Sequence, residues 1–340
     1  MKAQSNSFDL LRLVAATMVI YAHTYNLRGE HVHERIQNLM GSEISFGALS
    51  ILIFFAISGY LVSLSWLRDP DIERFLQRRL LRLVPGVIVV TLFAVFILGP
   101  WLTTLPLSEY FSNPLTWTYL ENIFIYPVHY KLPGVFQDNP YPNVVNGSIW
   151  TLRLELSLYL IVILLGITRF IYWRWMGALL AFLCMLGVYI LRYVDILQVM
   201  PFHRELLLVV FNGIPFFIGL FMARNPGSEK VSWLLISMCA IAAAVFSCHP
   251  HTYPLATPLI AYVSIAFAYK FKTNVARYGD FSYGLYLWGF MVQQTLLHFM
   301  PTLRAVPFFF MACAGSFVFA FLSWHFVEKL SLKLKPATVR

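Results

Sequence analysis

Ten apolar runs, each near the ~20 residues a helix needs to cross a bilayer, divide this chain and leave it few ways to fold. They lie at 8–25, 47–66, 83–103, 148–168, 175–191, 206–223, 231–247, 254–269, 281–299 and 306–325. Hydrocarbon offers no partner to a backbone N–H or C=O, so runs of this length must close their own hydrogen bonds as helices. With 59% hydrophobic and only 12% charged residues, the composition excludes an ordinary soluble domain. We expect an all-α integral membrane protein, a ten-transmembrane-helix bundle forming a single membrane-embedded domain over 1–340.

Positive residues stay on the cytoplasmic side of a membrane. If the amino end is inside, that side receives seventeen of the 25 Lys and Arg and the other side six, so the expected topology is N-in/C-in. The formal charge of +9 then reflects orientation and contact with anionic lipid headgroups, and we read no nucleic-acid partner from it. Cys184, Cys239, Cys248 and Cys313 show no paired spacing, so neither a disulfide framework nor a zinc or other metal site is expected. The first run carries Asp9 and Arg12 and no small-residue cleavage site, so it is read as a retained helix and not a signal peptide. The long interruption from Thr104 to Gly147 is rich in Pro, Asn and Tyr and is assigned to the outer face.

Charges inside the apolar runs are the functional candidates, because an ionisable group in a spanning helix faces a bundle interior or a wet cavity. The first run, FDLLRLVAATMVIYAHTY, holds Asp9, Arg12 and His23. Eleven residues are three helical turns plus about 20°, so Arg12 and His23 share a face, about 16 Å apart along the axis. They serve different tasks at different depths. The bland readings are an Arg12 that pairs with Asp9 or snorkels to headgroups, and a His23 that is a core histidine.

The stretch DPDIERFLQRRLLRLVPG places Ile72, Phe75, Leu76 and Leu80 at helical spacing among Arg74, Arg78, Arg79 and Arg82. It reads as a short interfacial helix, with Pro85 setting the start of the third span. Arg79 and Arg82, three residues apart, are placed to clamp phosphate groups with paired donors, Arg78 beside them. The alternative is a positive-inside cluster on lipid phosphates. In NGSIWTLRLELSLYL, Arg153 and Glu155 point to different faces. Counting from helix ends puts Glu155 about 10 Å and His23 about 8 Å below the same outer surface, a depth match that would set a carboxylate beside an imidazole. Ser58-Gly59 offers a small-residue contact surface. Asn212 and Pro215 are placed to kink the sixth span, His249 and His251 read as a turn, and His31 and His33 as a solvated loop. Tyr283, Tyr286 and Trp288 fit an interfacial aromatic belt, and Glu328-Lys329 the cytoplasmic exit.

Taken in order, these stretches resemble the acyltransferase-3 family of integral membrane O-acyltransferases. DLLR with Arg12 and then His23 is similar to that family's R-x10-H signature, and FFAISGYLV, FLQRRLLRLVP, SIWTLRLE, FSYGLYLW and FVEK to its later landmarks. The resemblance runs from Phe8 to about Lys329. It implies a ten-helix bundle that moves an acyl group from cytoplasmic acyl-CoA, most often acetyl-CoA with succinyl as the main rival, to a hydroxyl of a glycan or lipid-linked glycan such as O-antigen or exopolysaccharide, in a bacterial inner membrane. Carried over by position, His23 is the catalytic histidine with Arg12 and Glu155 as partners. Arg79, Arg82, Arg78 and Arg12 are expected at the CoA phosphates. Arg153, Trp150, Tyr286 and Trp288 are expected at the acceptor. Gly289 stands where relatives often carry a histidine, Leu156 where a second acid often follows, and no appended soluble domain is expected. A transporter and a non-catalytic glycan- or lipid-binding bundle are the competing classes.

Overall fold

The computed structural model describes residues 7–30, 41–194, 202–273 and 275–336; His31 and His33 lie outside them. Among the described residues the regular elements are all helical. Ten are long: α1 (Phe8–Asn26), α2 (Phe46–Arg68), α3 (Ile72–Leu102), α4 (Trp150–Ile167), α5 (Met176–Tyr193), α6 (His203–Arg224), α7 (Trp233–Ser247), α8 (Tyr253–Lys270), α9 (Ser282–Phe299) and α10 (Ala305–Leu332). Six of them, α2 to α6 and α10, are long and apolar enough to cross a membrane. The helix α7 is apolar but has only 15 residues. In α1 the ionisable Asp9, Arg12 and His23, and in α9 the Gln293-Gln294 pair, dilute the apolar character.

The break expected at Pro85 is absent: Ile72 to Leu102 is one helix, and the separate interfacial helix does not exist. Pro85 has no N–H to give the carbonyl four residues back, which is what ends most helices at proline. Here Ser331 of α10 donates to that carbonyl, on Leu81, at 3.0 Å. Tyr283 of α9 donates to the Leu83 carbonyl at 2.6 Å. Ser331 of α10 therefore replaces the lost bond, and Tyr283 adds a second tie two residues on. Further along, the turn Ala94–Leu98 widens to a π-turn, and the buried Tyr110 hydroxyl donates to the Val95 carbonyl at 3.0 Å.

Helix α1 runs antiparallel to α2, with Phe8 stacked on Tyr60 (5.7 Å) at one end and Tyr21 edge-on to Phe46 (5.6 Å) at the other. Helix α2 crosses α6 almost backbone to backbone. A Cβ at Gly59 would lie 2.0 Å from the Phe216 carbonyl oxygen, and one at Gly219 2.5 Å from that of Ala56. Without a hydrophobic driving force inside lipid, this closeness supplies the dispersion contacts that hold helices together. The segment 104–147 packs onto α9 through Gln294, which is fully buried. Asn139 donates to Gln294 Oε1 (2.9 Å), and Gln294 Nε2 donates to the carbonyls of Tyr141 and Val144 (both 2.8 Å). Asn146 donates to the Leu287 carbonyl at 2.8 Å. This segment caps one end of the bundle; the arginine cluster lies at the other.

Gly59→Ala should lower the thermal unfolding midpoint in detergent by an amount equivalent to about 1–3 kcal/mol, since the clash is with backbone. Gly187→Ala in α5 meets only side-chain atoms at 3.6 Å or more and should be neutral or mildly stabilising.

Candidate active site

Between α1, α2, α3, α4 and α9 lies a cavity holding about 810 Å³ of empty space, part of it continuous with solvent. Its wall brings together Arg12, Ser58, Arg79, Arg82, Glu155 and Tyr286. Three helices distant in sequence, α1, α3 and α4, thus deliver three guanidinium groups and a carboxylate to one space.

The four arginines of α3 are not equivalent. Arg74 and Arg78 both close on the buried carboxylate of Asp69, at 2.6 and 2.7 Å, so Arg78 is committed to a structural ion pair. Hydrogen bonds from Arg74, then from Arg78, hold the Asp69 carboxyl down at about 2. Arg82 pairs with Asp280 at 2.5 Å, and Asp280 also accepts from Ser282 at 2.5 Å. Burial alone would raise the Asp280 carboxyl, but the charges of Arg82 and Arg12 hold it well below the usual range. Arg79 differs from all of these. Its Nη2 donates to Ser65 Oγ at 3.3 Å, its guanidinium lies 5.9 Å over the Phe75 ring, and its buried Nε has no hydrogen-bond partner. Among the described residues it pairs with no carboxylate. Arg12 reaches Asp9 at a long 3.4 Å, the local pairing that its spacing allows.

Glu155 accepts from Ser58 Oγ at 3.1 Å and from the Tyr159 hydroxyl. Depth counting put this carboxylate beside His23, and the structure does not. No hydrogen bond or ion pair joins them among the described residues. Because α1 and α2 are antiparallel, His23 lies at the level of Phe46, while Ser58 is twelve residues along, about 18 Å at ~1.5 Å per residue. The error came from assuming that α4 starts at the membrane surface. Segment 104–147 dips into the bundle, so that Gly147 abuts Phe290, the ring that touches His23. Glu155, eight residues on, lies about 12 Å deeper and faces the arginines.

His23 is half-buried, with its ring edge-on to Phe290 at 5.1 Å. Its Nδ1 is buried without a hydrogen-bond partner. Gln293 steadies the adjoining turn, donating to the Ile20 carbonyl at 2.8 Å. His23 does not line the cavity, whose upper wall includes Ile51, Phe54 and Tyr286. Tyr286 is tied to Thr151 (2.6 Å) and donates to the Ser148 carbonyl (2.8 Å); Phe290 stands one turn of α9 above it. The lining of the cavity thus stops one helical turn short of the ring that touches His23.

Of the residues expected at the acceptor, Tyr286 alone lines the cavity. Arg153 pairs with Glu205 of α6 at 2.5 Å. Trp150 packs against the apolar core. Trp288 is 3% exposed, stacked on Phe319 at 4.7 Å and edge-on to Phe93, so it is core and not cavity wall. The aromatic-belt reading of Tyr283, Tyr286 and Trp288 fails because α9 is central: all three are buried. Glu328, expected at an exit, is 4% exposed and accepts from Ser323 at 2.7 Å. Glu328 and Asp280 are site neighbours that sequence reasoning missed. Their signal was a carboxylate flanked by aromatic residues at the end of an apolar run, in YGDFSYG and WHFVEK.

Fold and cavity define a multi-pass helical membrane protein with a cationic interior. The chain belongs to the acyltransferase-3 family, described as an acyltransferase domain, which matches residues 5–325. It is 28% identical over 334 aligned positions to the "O-acetyl transferase" of Shigella phage Sf6, covering 96% of each chain. It is also 28% identical over 363 positions to "Nodulation protein 10" of Rhizobium leguminosarum bv. viciae, covering 98% of this chain and 95% of that one. A weaker match, 27% identity over 45% of this chain and 32% of the other, is to "Regulator of hypoxia-inducible factor 1" of Caenorhabditis elegans. No solved structure matches the chain significantly. The protein is thus a membrane acyltransferase of this family.

A carboxyl whose folded value is depressed stabilises the fold above its ordinary value and loses that contribution as pH falls through the folded one. For Asp69 the window runs from 3.8 down to about 2. Asp69→Asn should therefore show a flatter loss of unfolding midpoint between pH 4 and pH 2 than the parent, followed by thermal melts in detergent.

Proposed function

We propose that the protein is an O-acyltransferase that takes an acyl group, acetyl in the simplest case, from acyl-CoA at the cytoplasmic side and passes it to a hydroxyl of a glycan or lipid-linked glycan. The arginine end of the bundle is then cytoplasmic, all ten helices cross a bacterial inner membrane, and both termini lie inside. The single observation that carries this reading is the cavity, in which Arg79, a guanidinium with a buried, unpartnered Nε and no carboxylate, lies with Arg82 and Arg12 below a histidine that has a free ring nitrogen. A buried guanidinium left with one hydroxyl partner is costly unless a ligand meets it, and phosphate suits its forked donors. The relative from phage Sf6, an O-acetyl transferase by name, supports the same chemistry.

In this mechanism Arg79 and Arg82 hold phosphates of the donor and Arg12 the polar part of its pantetheine arm, with the thioester directed along α2 toward His23. Glu155 does not orient His23. Held by Ser58 and Tyr159, it balances the arginines when no phosphate is present. The ring of Phe290 must turn aside for the thioester to reach the imidazole. His23 then accepts the proton of the acceptor hydroxyl, the oxygen bonds to the thioester carbonyl carbon, and the carbon–sulfur bond breaks. The thiolate that leaves takes the proton back from the imidazolium. Acylation of His23 first, followed by transfer to the hydroxyl, is the stepwise version.

His23→Ala should insert and melt as the parent does and yet lose at least about a hundredfold in acyl transfer, the usual share of a general base. The assay is transfer of labelled acetyl from acetyl-CoA to surface polysaccharide in membrane vesicles. Full transfer by a folded His23→Ala protein would refute the reading.

A further inference from the structure

Among the described residues, Arg79 on α3 and Lys335 beyond α10 each lack a carboxylate partner. The segment after the long part of α10 turns back across the arginine face, because Ser331 Oγ is fixed to the Leu81 carbonyl, one residue from Arg82. The turn then closes with Leu334 N–H donating to Ser331 O (3.0 Å) and Lys335 N–H to Leu332 O (3.4 Å). Lys335, half-buried and four residues beyond this anchor on Leu81, therefore lies on the side of the bundle that carries Arg82 and Arg79, within electrostatic reach of both and of Arg12 and Arg78. The carboxylates that face this cluster are already engaged: Asp9 by Arg12, Asp69 by Arg74 and Arg78, Asp280 by Arg82, Glu155 by Ser58 and Tyr159, and Glu328 by Ser323. Among the described residues Lys335 makes no ion pair.

We propose that Lys335 completes a phosphate-binding mouth with Arg79 and Arg82 and holds a phosphate of the nucleotide-bearing donor, setting donor affinity and not the rate of transfer. The inference rests on the acyl-CoA reading above and adds to it a residue from a different helix. Its chemistry is that of a compact, mobile ammonium reaching a phosphate that the rigid guanidinium forks leave exposed. Burial, followed by the positive charges of Arg82, Arg79, Arg12 and Arg78, already pushes the Lys335 ammonium down to about 8. A phosphate at the mouth favours the charged form. Affinity should therefore be full below pH 8 and fall as pH rises through it, over a range where phosphates with a second pKa near ~6 stay ionised.

The test is calorimetric titration of S-ethyl-coenzyme A, a thioether without a titrating thiol, into the full-length protein in zwitterionic detergent at pH 7.5 and pH 9.5. Lys335→Gln should weaken binding about tenfold at pH 7.5, the loss expected for one charge-assisted contact, while kcat at saturating donor stays within twofold. The parent should weaken between the two pH values. Lys335→Arg, charged at both, should not, and comparing the two removes any share of Glu328 in the pH effect. Should Lys335→Gln not fold, the Lys335→Arg comparison still decides. Equal binding by parent and Lys335→Gln in detergent overturns the proposal, as does an effect of Lys335→Gln seen only in nanodiscs of anionic lipid, which would assign the lysine to a headgroup. If Arg79→Ala, Arg82→Ala and Lys335→Gln all bind as the parent does, the acyl-CoA reading itself falls. If the arginine variants weaken and Lys335→Gln does not, this inference alone falls.

Discussion

A guanidinium inside a helical bundle must meet either a carboxylate or a ligand, and the arrangement of this protein follows from which arginine gets which. Arg74 and Arg78 share Asp69, locking the turn between α2 and α3. Arg82 takes Asp280 from the approach to α9, which fixes α9 against α3. Arg79, one residue from Arg78 and one turn from Arg82, is left with a serine hydroxyl and an aromatic face. Paired arginines tie helices together; the spare one lines the cavity. Desolvating an ion costs several kcal/mol, so such an imbalance persists only when the surrounding fold is strongly held.

That holding is done by close helix approach and by satisfied backbone. Gly59 and Gly219 let α2 and α6 touch along their main chains, and α1 and α9 pack on α2 through aromatic contacts. Where α3 would break at Pro85, the Ser331 hydroxyl supplies the missing donor and Tyr283 ties the next turn to α9. The same helix that carries Arg79 and Arg82 is therefore tied through its proline by residues from α9 and α10, so the cationic wall of the cavity depends on three helices far apart in sequence. The segment 104–147 acts at the other end. Through Gln294 and Leu287 it seats itself on α9 and forces α4 to begin deep, which separates Glu155 from His23.

Much of the site was legible because charge is scarce in this chain. Any Arg, Glu or His inside an apolar run stands out, and Arg12, Arg79, Arg82 and Glu155 all reach the cavity. The failures share one cause. Neither the depth of a residue along an isolated helix nor the stop at a proline is a property of that helix alone, because neighbours set both. Trp288 and Arg153 look like ligand contacts when read on one helix; in the bundle they are claimed by Phe319 and Glu205.

The sequence by itself determined that this is a helical membrane protein of the acyltransferase-3 family, because apolar length, charge placement and motif order are properties of a linear string. Tertiary structure alone decided which charges meet. Ion pairs such as Arg82 with Asp280, 198 positions apart, form between helices whose relative height and rotation depend on small-residue crossings and on a loop that folds inward. Local periodicity gives the direction of a side chain about its own axis, but a partner's position also requires the offset between axes, and that is set only when the helices pack.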